Sequence, residues 1–367
     1  MHNPYEVRKS SLIAELSAAG MEAALVTSPG SVFYLTGFHC DPHERFMGLL
    51  INPKESTYTL FVPALDQESA SGAAMVSKLV AISDTDNAYE LLGKEADKSA
   101  ATIGVEKRHL NVATYEQLAG VFAKAAFRDV EPLLMALRLR KSPEEIQRVH
   151  AAVVIAEQVL YEVAAKAAVG VSELELNAEI EYRLRVLGGD KPAFETSVLG
   201  GARSALPHGR SGEYRLKEND FLLIDMGVYK DGYCSDITRT FVIGEGTAEQ
   251  VRIYEAVLAA NRQAIASAEA GKALAVVDRA AREAIEAQGY GEFFNHRVGH
   301  GFGIDIHELP SVHGSNEARI ETGLLFTVEP GIYVPGLGGV RIEDDIYIGE
   351  DGKPQVLTSF PKELQRL

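Results

Sequence analysis

Asp225 and Asp236 stand inside the stretch Asp220–Phe241 (DFLLIDMGVYKDGYCSDITRTF), which reads as two strands joined by a tight turn. Phe221–Ile224 is a short apolar run, and Thr238–Val242 is a second strand candidate. Lys230-Asp231-Gly232 supplies the turn chemistry, with Gly232 free to take a positive φ. The two acid numbers are symmetric about the 230/231 bond. A loop centred there sets the carboxylates face to face, with Cβ atoms roughly 4.5–5.5 Å apart. Charges that close repel, so the arrangement calls for a shared proton on a carboxyl of raised pKa, or for a cation. A loop centred one residue away would instead leave one acid facing solvent and nothing shared.

A second hairpin favours the cation. Leu325–Ile348 (LFTVEPGIYVPGLGGVRIEDDIYI) turns at Pro335–Gly339, and Glu329 and Glu343 are symmetric about Gly336. Between the hairpins lies VGHGFGIDIHELP, with His300 and His307. Two acid pairs and an imidazole form a ligand set for two divalent cations sharing bridging carboxylates. Four carboxylates and one imidazole suit a hard or borderline ion. Manganese or cobalt fits better than a thiolate-type zinc site, with zinc still open. His307-Glu308 is no HExxH site, because position 311 is Ser and Pro310 would break the helix that motif needs. Glycines at 299, 301 and 303 argue for extended chain around His300. In a regular strand, residues 300 and 307 point to opposite faces, so a turn or bulge must re-aim His307 if both serve one site.

The segments IDMG…SDITRTF, GHGFGIDIHELP, TVEPGIY and GGVRIEDD resemble the metallopeptidases of pita-bread fold: methionine aminopeptidase, aminopeptidase P and prolidase. The likeness covers about the C-terminal two-thirds, in matching order and spacing. It implies Asp225, Asp236, His300, Glu329 and Glu343 as metal ligands, and His208 and His307 as catalytic histidines. His208 would position the peptide, His307 would stabilise the oxyanion, and Glu329 would relay a proton to the leaving amine. The N-terminal third is similar to that of prolidases and aminopeptidases P, notably FYLTGF at 33–38. Methionine aminopeptidases of one domain lack it. The resemblance thus implies an M24B-type Xaa-Pro dipeptidase (prolidase) as the first reading. The alternative is an aminopeptidase P acting on longer Xaa-Pro peptides. A creatinase-like hydrolase or a metal-free protein-binding module is less favoured, because all five ligand positions are filled. One departure is Ser311, where several prolidases place a carboxylate-binding arginine.

The elements that must position these residues are legible in outline. Alternating helical and strand segments run to about Val130, an α/β pattern with no glycine fingerprint for a nucleotide. Tyr5–Ala19 has helical spacing, Ala23–Thr27 reads as a strand and Ser28-Pro29-Gly30 as a turn. Leu49–Asn52 and Tyr58–Val62 read as further strands. Ser142-Pro143-Glu144-Glu145 is a capping box that opens the second domain. The expected organisation is a creatinase-type α/β domain over residues 1–136 and an α+β pita-bread catalytic domain over 137–367. Further boxes at Ser172/Glu175 and Thr247/Gln250 open helices that end near Gly188 and Gly271. Another helix spans about 275–288. Helices alternating with antiparallel hairpins suggest helices on one face of a curved sheet.

Three other features carry weaker expectations. Arg341 shares a strand face with Glu343, where a buried guanidinium would orient a ligand carboxylate, bind substrate or form a structural salt bridge. Thr238 could partner Asp236 or be simply a strand residue, while Tyr233 and Cys234 read as packing. The patch Asp41-Pro42-His43-Glu44-Arg45 reads as a solvated loop. The dimer that the resemblance implies would alternatively let Asp41, His43 or Arg45 reach the partner's substrate. A net charge of −16 argues against nucleic acid. No apolar run reaches transmembrane length, and the first residues, MHNPYEVRKSS, lack an apolar signal core. Two cysteines, Cys40 and Cys234, suggest a reducing compartment. The expectation is a cytoplasmic homodimer acting on short Xaa-Pro peptides.

Overall fold

The computed structural model describes residues 3–367, so Met1 and His2 at the head of the opening segment lie outside it. The chain divides into two compact units, Met1–Arg138 and Leu139–Leu367.

The N-terminal unit holds one mixed sheet. Its strands are β1 (Ala23–Val26), β2 (Gly48–Asn52), β3 (Thr57–Pro63), β4 (Lys78–Ile82), β5 (Thr102–Val105) and β6 (Ala126–Asp129), in the order β4-β3-β2-β1-β5-β6. The pairs β1·β2 and β2·β3 are antiparallel, and the others are parallel. Leu25, Phe61, Leu92, Ile103 and Leu118 anchor its core. The segment after β1 is not a turn: Pro29–Thr36 is a helix. The Ser28 side chain accepts from Ser31 N and Pro29 occupies the first helical position. Ser-Pro serves equally as a turn and as an N-cap followed by N1, and the apolar run behind it decides for the helix.

In the second unit all three capping boxes form. Ser142 with Glu145 opens the helix Pro143–Ala164, Ser172 with Glu175 opens Glu173–Val186, and Thr247 with Gln250 opens Ala248–Ser267. A further helix spans Ala275–Glu286. The strands are β7 (Lys191–Pro192), β8 (Ser197–Gly200), β9 (Phe221–Met226), β10 (Val228–Lys230), β11 (Tyr233–Cys234), β12 (Ile237–Val242), β13 (Gly299–Gly301), β14 (Glu308–Val312), β15 (Leu325–Val328), β16 (Gly331–Val334), β17 (Gly338–Arg341), β18 (Asp344–Ile348) and β19 (Pro354–Val356). Two similar halves result. The first helix pair packs on β9 and β12 through Leu222, Ile224, Met226, Ile237 and Phe241. The second pair packs on β15 and β18 through Phe326, Val328, Ile342, Ile346 and Ile348.

Strand alternation then fixes where the acids go. On β9 the even positions face the helices, so Asp225 faces the other way. On β12 the odd positions face the helices, which sends Asp236, Thr238 and Thr240 to the side of Asp225. On the second hairpin the even strand positions that face the helices are apolar apart from Asp344, and the odd set includes Thr327, Glu329, Tyr333, Arg341, Glu343 and Asp345. Each half thus turns its polar face away from its own helices. The two faces meet where Glu343 N donates to Thr238 O and Arg341 N donates to Thr240 Oγ1.

Arg239 ties the halves from behind. It is buried, forms an ion pair with Asp344 at 2.8 Å and donates to the carbonyls of Glu343 and Phe360. Burial acts to raise the Asp344 pKa, but Arg239 and Lys362 outweigh it and hold that carboxyl at about 2. Removing one partner strands a buried charge. Arg239→Met is therefore expected to lower stability by about 3 kcal/mol or more, read from urea unfolding at pH 7.

Candidate metal centre

The first hairpin is centred differently from the symmetric expectation, and the difference is instructive. The ladder pairs Thr238 with Asp225 and Ile237 with Met226, while β10 and β11 pair Tyr229 with Cys234 and Lys230 with Tyr233. The turn is thus Asp231-Gly232, with φ of 48° and 86°, the left-handed pair of a type I′ turn. Moving a hairpin centre by one residue moves the register by two. Asp225 and Asp236 are therefore diagonal rather than opposite, yet still on one face. The expectation that an off-centre loop would turn one acid to solvent does not hold. In the second hairpin the register is the symmetric one. Val328 pairs with Asp344 and Gly331 with Arg341, which places Glu329 and Glu343 opposite each other between the two ladders.

The histidine segment enters between the halves. The ladder of β13 and β14 slips between His300 and Gly301, pairing His300 with Ser311 but Gly301 with Glu308. This bulge turns His307 back, so that its ring lies 4.4 Å from that of His300, centroid to centroid. Gly301 permits it, because a Cβ there would meet the Leu309 carbonyl oxygen at 2.0 Å.

Together these elements line one cavity of about 420 Å³. Its walls include Asp225, Asp236, His300, Glu329 and Glu343, with His208 and His307 beside them. One donor atom each from Asp236, His300 and Glu343 falls within 4.8 Å of the others. His300 Nε2 stands 3.7 Å from Asp236 and 3.5 Å from Glu329. The electrostatics are those of acids crowded without enough counter-charge. Burial, then the neighbouring acids, pushes Asp236 and Glu343 far above the usual carboxylate range. Burial lifts Glu329 to about 7 and drops His300 to about 3.

Arg341 is the nearest cation. It is buried, and each of its three nitrogens is engaged: Nε with Thr238 Oγ1, Nη1 with Tyr333 Oη and Nη2 with Asp225 Oδ2 at 2.5 Å. Its geometry is that of a group holding a carboxylate in place. Thr238 donates to Glu343 Oε2 at 2.6 Å, not to Asp236. The Asp236 backbone N–H donates to Asp345, whose side chain is buried and raised in pKa by that burial. Tyr233 and Cys234 are buried, Tyr233 against Glu145 and Cys234 beside the Ile304 carbonyl.

The donor set fits divalent cations. One arginine cannot balance four clustered acids, and a buried carboxylate without a partner is costly. Asp225 Oδ1 is buried with no hydrogen-bond partner among the described residues, an open lone-pair site aimed at the cluster. Among the lining residues outside the expected set are His296 and Arg297. His296 contacts Tyr333 Oη at 2.9 Å, and Arg297 donates to Ser311 Oγ at 3.0 Å. His296 stands four residues before His300, a helical ligand spacing, but no helix forms there. Asp41, His43 and Arg45 belong to the N-terminal unit, whereas the cavity is built from residues 194–343. There His43 takes a φ of 53°, and Arg45 is paired with Asp84 and Glu44.

The fold and this cavity define a hydrolase of the two-domain metallopeptidase type, and the comparisons agree. The sequence pattern of metallopeptidase family M24 matches residues 147–350, and that of the creatinase/prolidase N-terminal domain matches residues 8–140. The chain is 41% identical to the Bacillus subtilis protein named "Putative dipeptidase YkvY" over 352 residues, 95% of this chain and 96% of that one. Its fold superposes on an Xaa-Pro dipeptidase from Bacillus anthracis with a TM-score of 0.92 and 33% identity, covering 99% and 100% of the two chains. It superposes on an X-Pro aminopeptidase from Thermotoga maritima with a TM-score of 0.89 and 31% identity, covering 98% and 99%. The chain belongs to metallopeptidase family M24, with a creatinase-type N-terminal domain and a pita-bread catalytic domain. Among the described residues no helix is long and apolar enough to cross a membrane.

Proposed function

We propose that the protein is a metal-dependent dipeptidase that cleaves Xaa-Pro dipeptides, as a prolidase does. The observation that carries this reading is the convergence of Asp225, Asp236, His300, Glu329 and Glu343 in one cavity of about 420 Å³, a size suited to a very short peptide. Those five residues would hold two divalent cations, manganese on grounds of donor hardness, and the ions would supply Lewis acidity and a water acidic enough to ionise near neutral pH.

The chain's own groups do the rest. Glu329, whose carboxyl burial lifts toward neutrality, takes the proton of the attacking water and passes it to the leaving amine. His307 is half-buried, and burial with the nearby Arg297 charge lowers its pKa, so it is neutral at pH 7. A neutral imidazole keeps one N–H to donate to the carbonyl oxygen as charge develops there. His208 lines the same cavity and orients the peptide. Arg341, Thr238 and Asp345 hold Asp225, Glu343 and the Asp236 backbone in register. The chemistry suits a cytoplasmic enzyme, since Cys40 and Cys234 are both free thiols.

The test is hydrolysis of Ala-Pro, Ala-Pro-Ala and Ala-Ala by manganese-loaded protein, with metal content measured in parallel. Cleavage of Ala-Pro alone supports the reading; preference for Ala-Pro-Ala would move it to aminopeptidase P. No cleavage of either by protein shown to carry metal would refute it. His307→Asn is expected to lower kcat by roughly 10²- to 10³-fold at unchanged metal content.

A further inference from the structure

His208 lines the cavity from an exposed position on the loop that joins β8 to β9. Side chains on such loops are ordinarily mobile, yet a group that orients a substrate must be held to within about 0.5 Å. Something has to hold this loop. The structure answers from behind it, with a charged residue that takes no part in the cavity. Glu173 opens the helix Glu173–Val186, is fully buried and lies outside the cavity lining.

Both oxygens of Glu173 are committed to that loop. Oε1 accepts from Gly200 N at 2.8 Å, where the chain leaves β8, and Oε2 accepts from Gly212 N at 2.8 Å, beyond His208. Arg203, inside the loop, donates from Nε to Oε1 at 2.9 Å and to Oε2 at 3.1 Å. Its Nη2 donates to the Arg210 carbonyl at 2.6 Å, just past His208. One carboxylate thus ties the loop at its start, its middle and its end. A buried charge is costly unless it is paired and hydrogen-bonded, and here a guanidinium and two N–H groups meet that requirement. The seat at a helix N-terminus favours the negative charge further. Smaller ties complete the frame. Ser197 Oγ donates to the Gly209 carbonyl at 2.8 Å, and Ser211 Oγ accepts from Val198 N at 2.9 Å. With the backbone fixed on both sides of position 208, only the torsions of the side chain itself remain to be set.

We propose that Glu173 and Arg203 are positioning residues for His208, their ion pair fixing the loop so that the imidazole meets the peptide. This rests on the peptidase reading above and adds to it the pair through which one of its groups acts. Neither residue lines the cavity, so their effect on hydrolysis passes through His208.

The experiment is a double-mutant cycle on metal-loaded protein with Ala-Pro as substrate, combining Arg203→Met with His208→Ala. Glu173→Gln is the more direct change, but it alters a fully buried group and puts the fold at risk. Arg203, with 36% of its side chain exposed, is the safer site. Arg203→Met is expected to lower kcat/KM roughly 10-fold, and to change it by less than about 2-fold where His208 is already alanine, since residues that act as a unit do not add. Arg203→Lys keeps a charge for Glu173 and should recover part of the loss. A second readout needs no turnover. The ring signal of His208 in a magnetic resonance spectrum of histidine-labelled protein, assigned by its loss in His208→Ala, should shift or broaden in Arg203→Met. An equal loss of kcat/KM in both backgrounds would overturn the proposal, as would native kcat/KM in Arg203→Met or an unchanged ring signal. If metal-loaded native protein hydrolyses nothing while that signal still responds to Arg203→Met, the peptidase reading falls and the placing of His208 by Arg203 stands.

Discussion

Asp236→Asn is expected to cut hydrolysis by on the order of 10³-fold or more and to leave the purified protein short of bound metal. The residue has the donor atom that comes within reach of both His300 and Glu343, so its charge serves the centre of the cluster. The substitution keeps the shape and removes one negative charge where cations must be held. A fold defect is the competing explanation, and the sign of the stability change separates the two. Metal-free native protein must keep a buried Asp236 that burial and its acidic neighbours push toward the protonated form. Replacing it by a neutral amide removes that conflict, so metal-free Asp236→Asn should be as stable as metal-free native protein at pH 8, or more so. Elemental analysis and thermal melts on the same samples decide it. Full metal occupancy with lost activity would assign Asp236 to the chemistry alone, and retained activity would remove it from the site.

Much of this site was legible because it depends on strand parity. Glu329 and Glu343 could be paired from their numbers, since a tight turn between two regular strands conserves the register sum. Asp225 and Asp236 were placed on one face for an incomplete reason. The turn uses Asp231-Gly232, and a centre displaced by one residue shifts partners by two, which preserves the face. The capping boxes at Ser142, Ser172 and Thr247 were equally plain, because the reciprocal bonds are local in sequence. What failed to show was anything set by contact between distant segments. Thr238 lies beside Asp236 in sequence, yet its hydroxyl serves Glu343, brought in by the second hairpin. Arg297 carries no motif at all. Its position depends on Asp278, which accepts from Val298 N and pairs with Arg282, and on Ser311 across the ladder. The Ser28-Pro29-Gly30 reading failed for a local reason, since the same residues cap a helix when a buried apolar run follows.

Removing the metal should cost more stability than any single substitution, and the cost should grow with pH. Ions that bind only the folded state stabilise it by mass action. Two sites each filled at about 1,000 times the dissociation constant contribute roughly 8 kcal/mol. For a unit of this size that corresponds to a fall in Tm of about 15 °C or more on chelation. The sign with pH follows from the acids. Glu329 is raised to about 7 by burial, and Asp236 and Glu343 are raised well above their ordinary range. Without metal, the folded chain holds protons that the unfolded chain has released. The stability those groups contribute is fully present below their unfolded pKa, and it is lost as pH rises through the folded values, about 7 for Glu329. Bound cations keep the same carboxylates ionised, so loaded protein has nothing there to titrate. His296 and His300 work the other way, being depressed to about 4 and 3, but their cost appears only as pH falls through about 6.5. Melts between pH 7 and 8.5 therefore isolate the acids. The gap in Tm between loaded and chelated protein should widen as pH rises, by up to about 3 °C per pH unit for one proton's linkage of about 1.4 kcal/mol. A gap that is absent, or that narrows as pH rises, would mean that these buried acids do not hold cations.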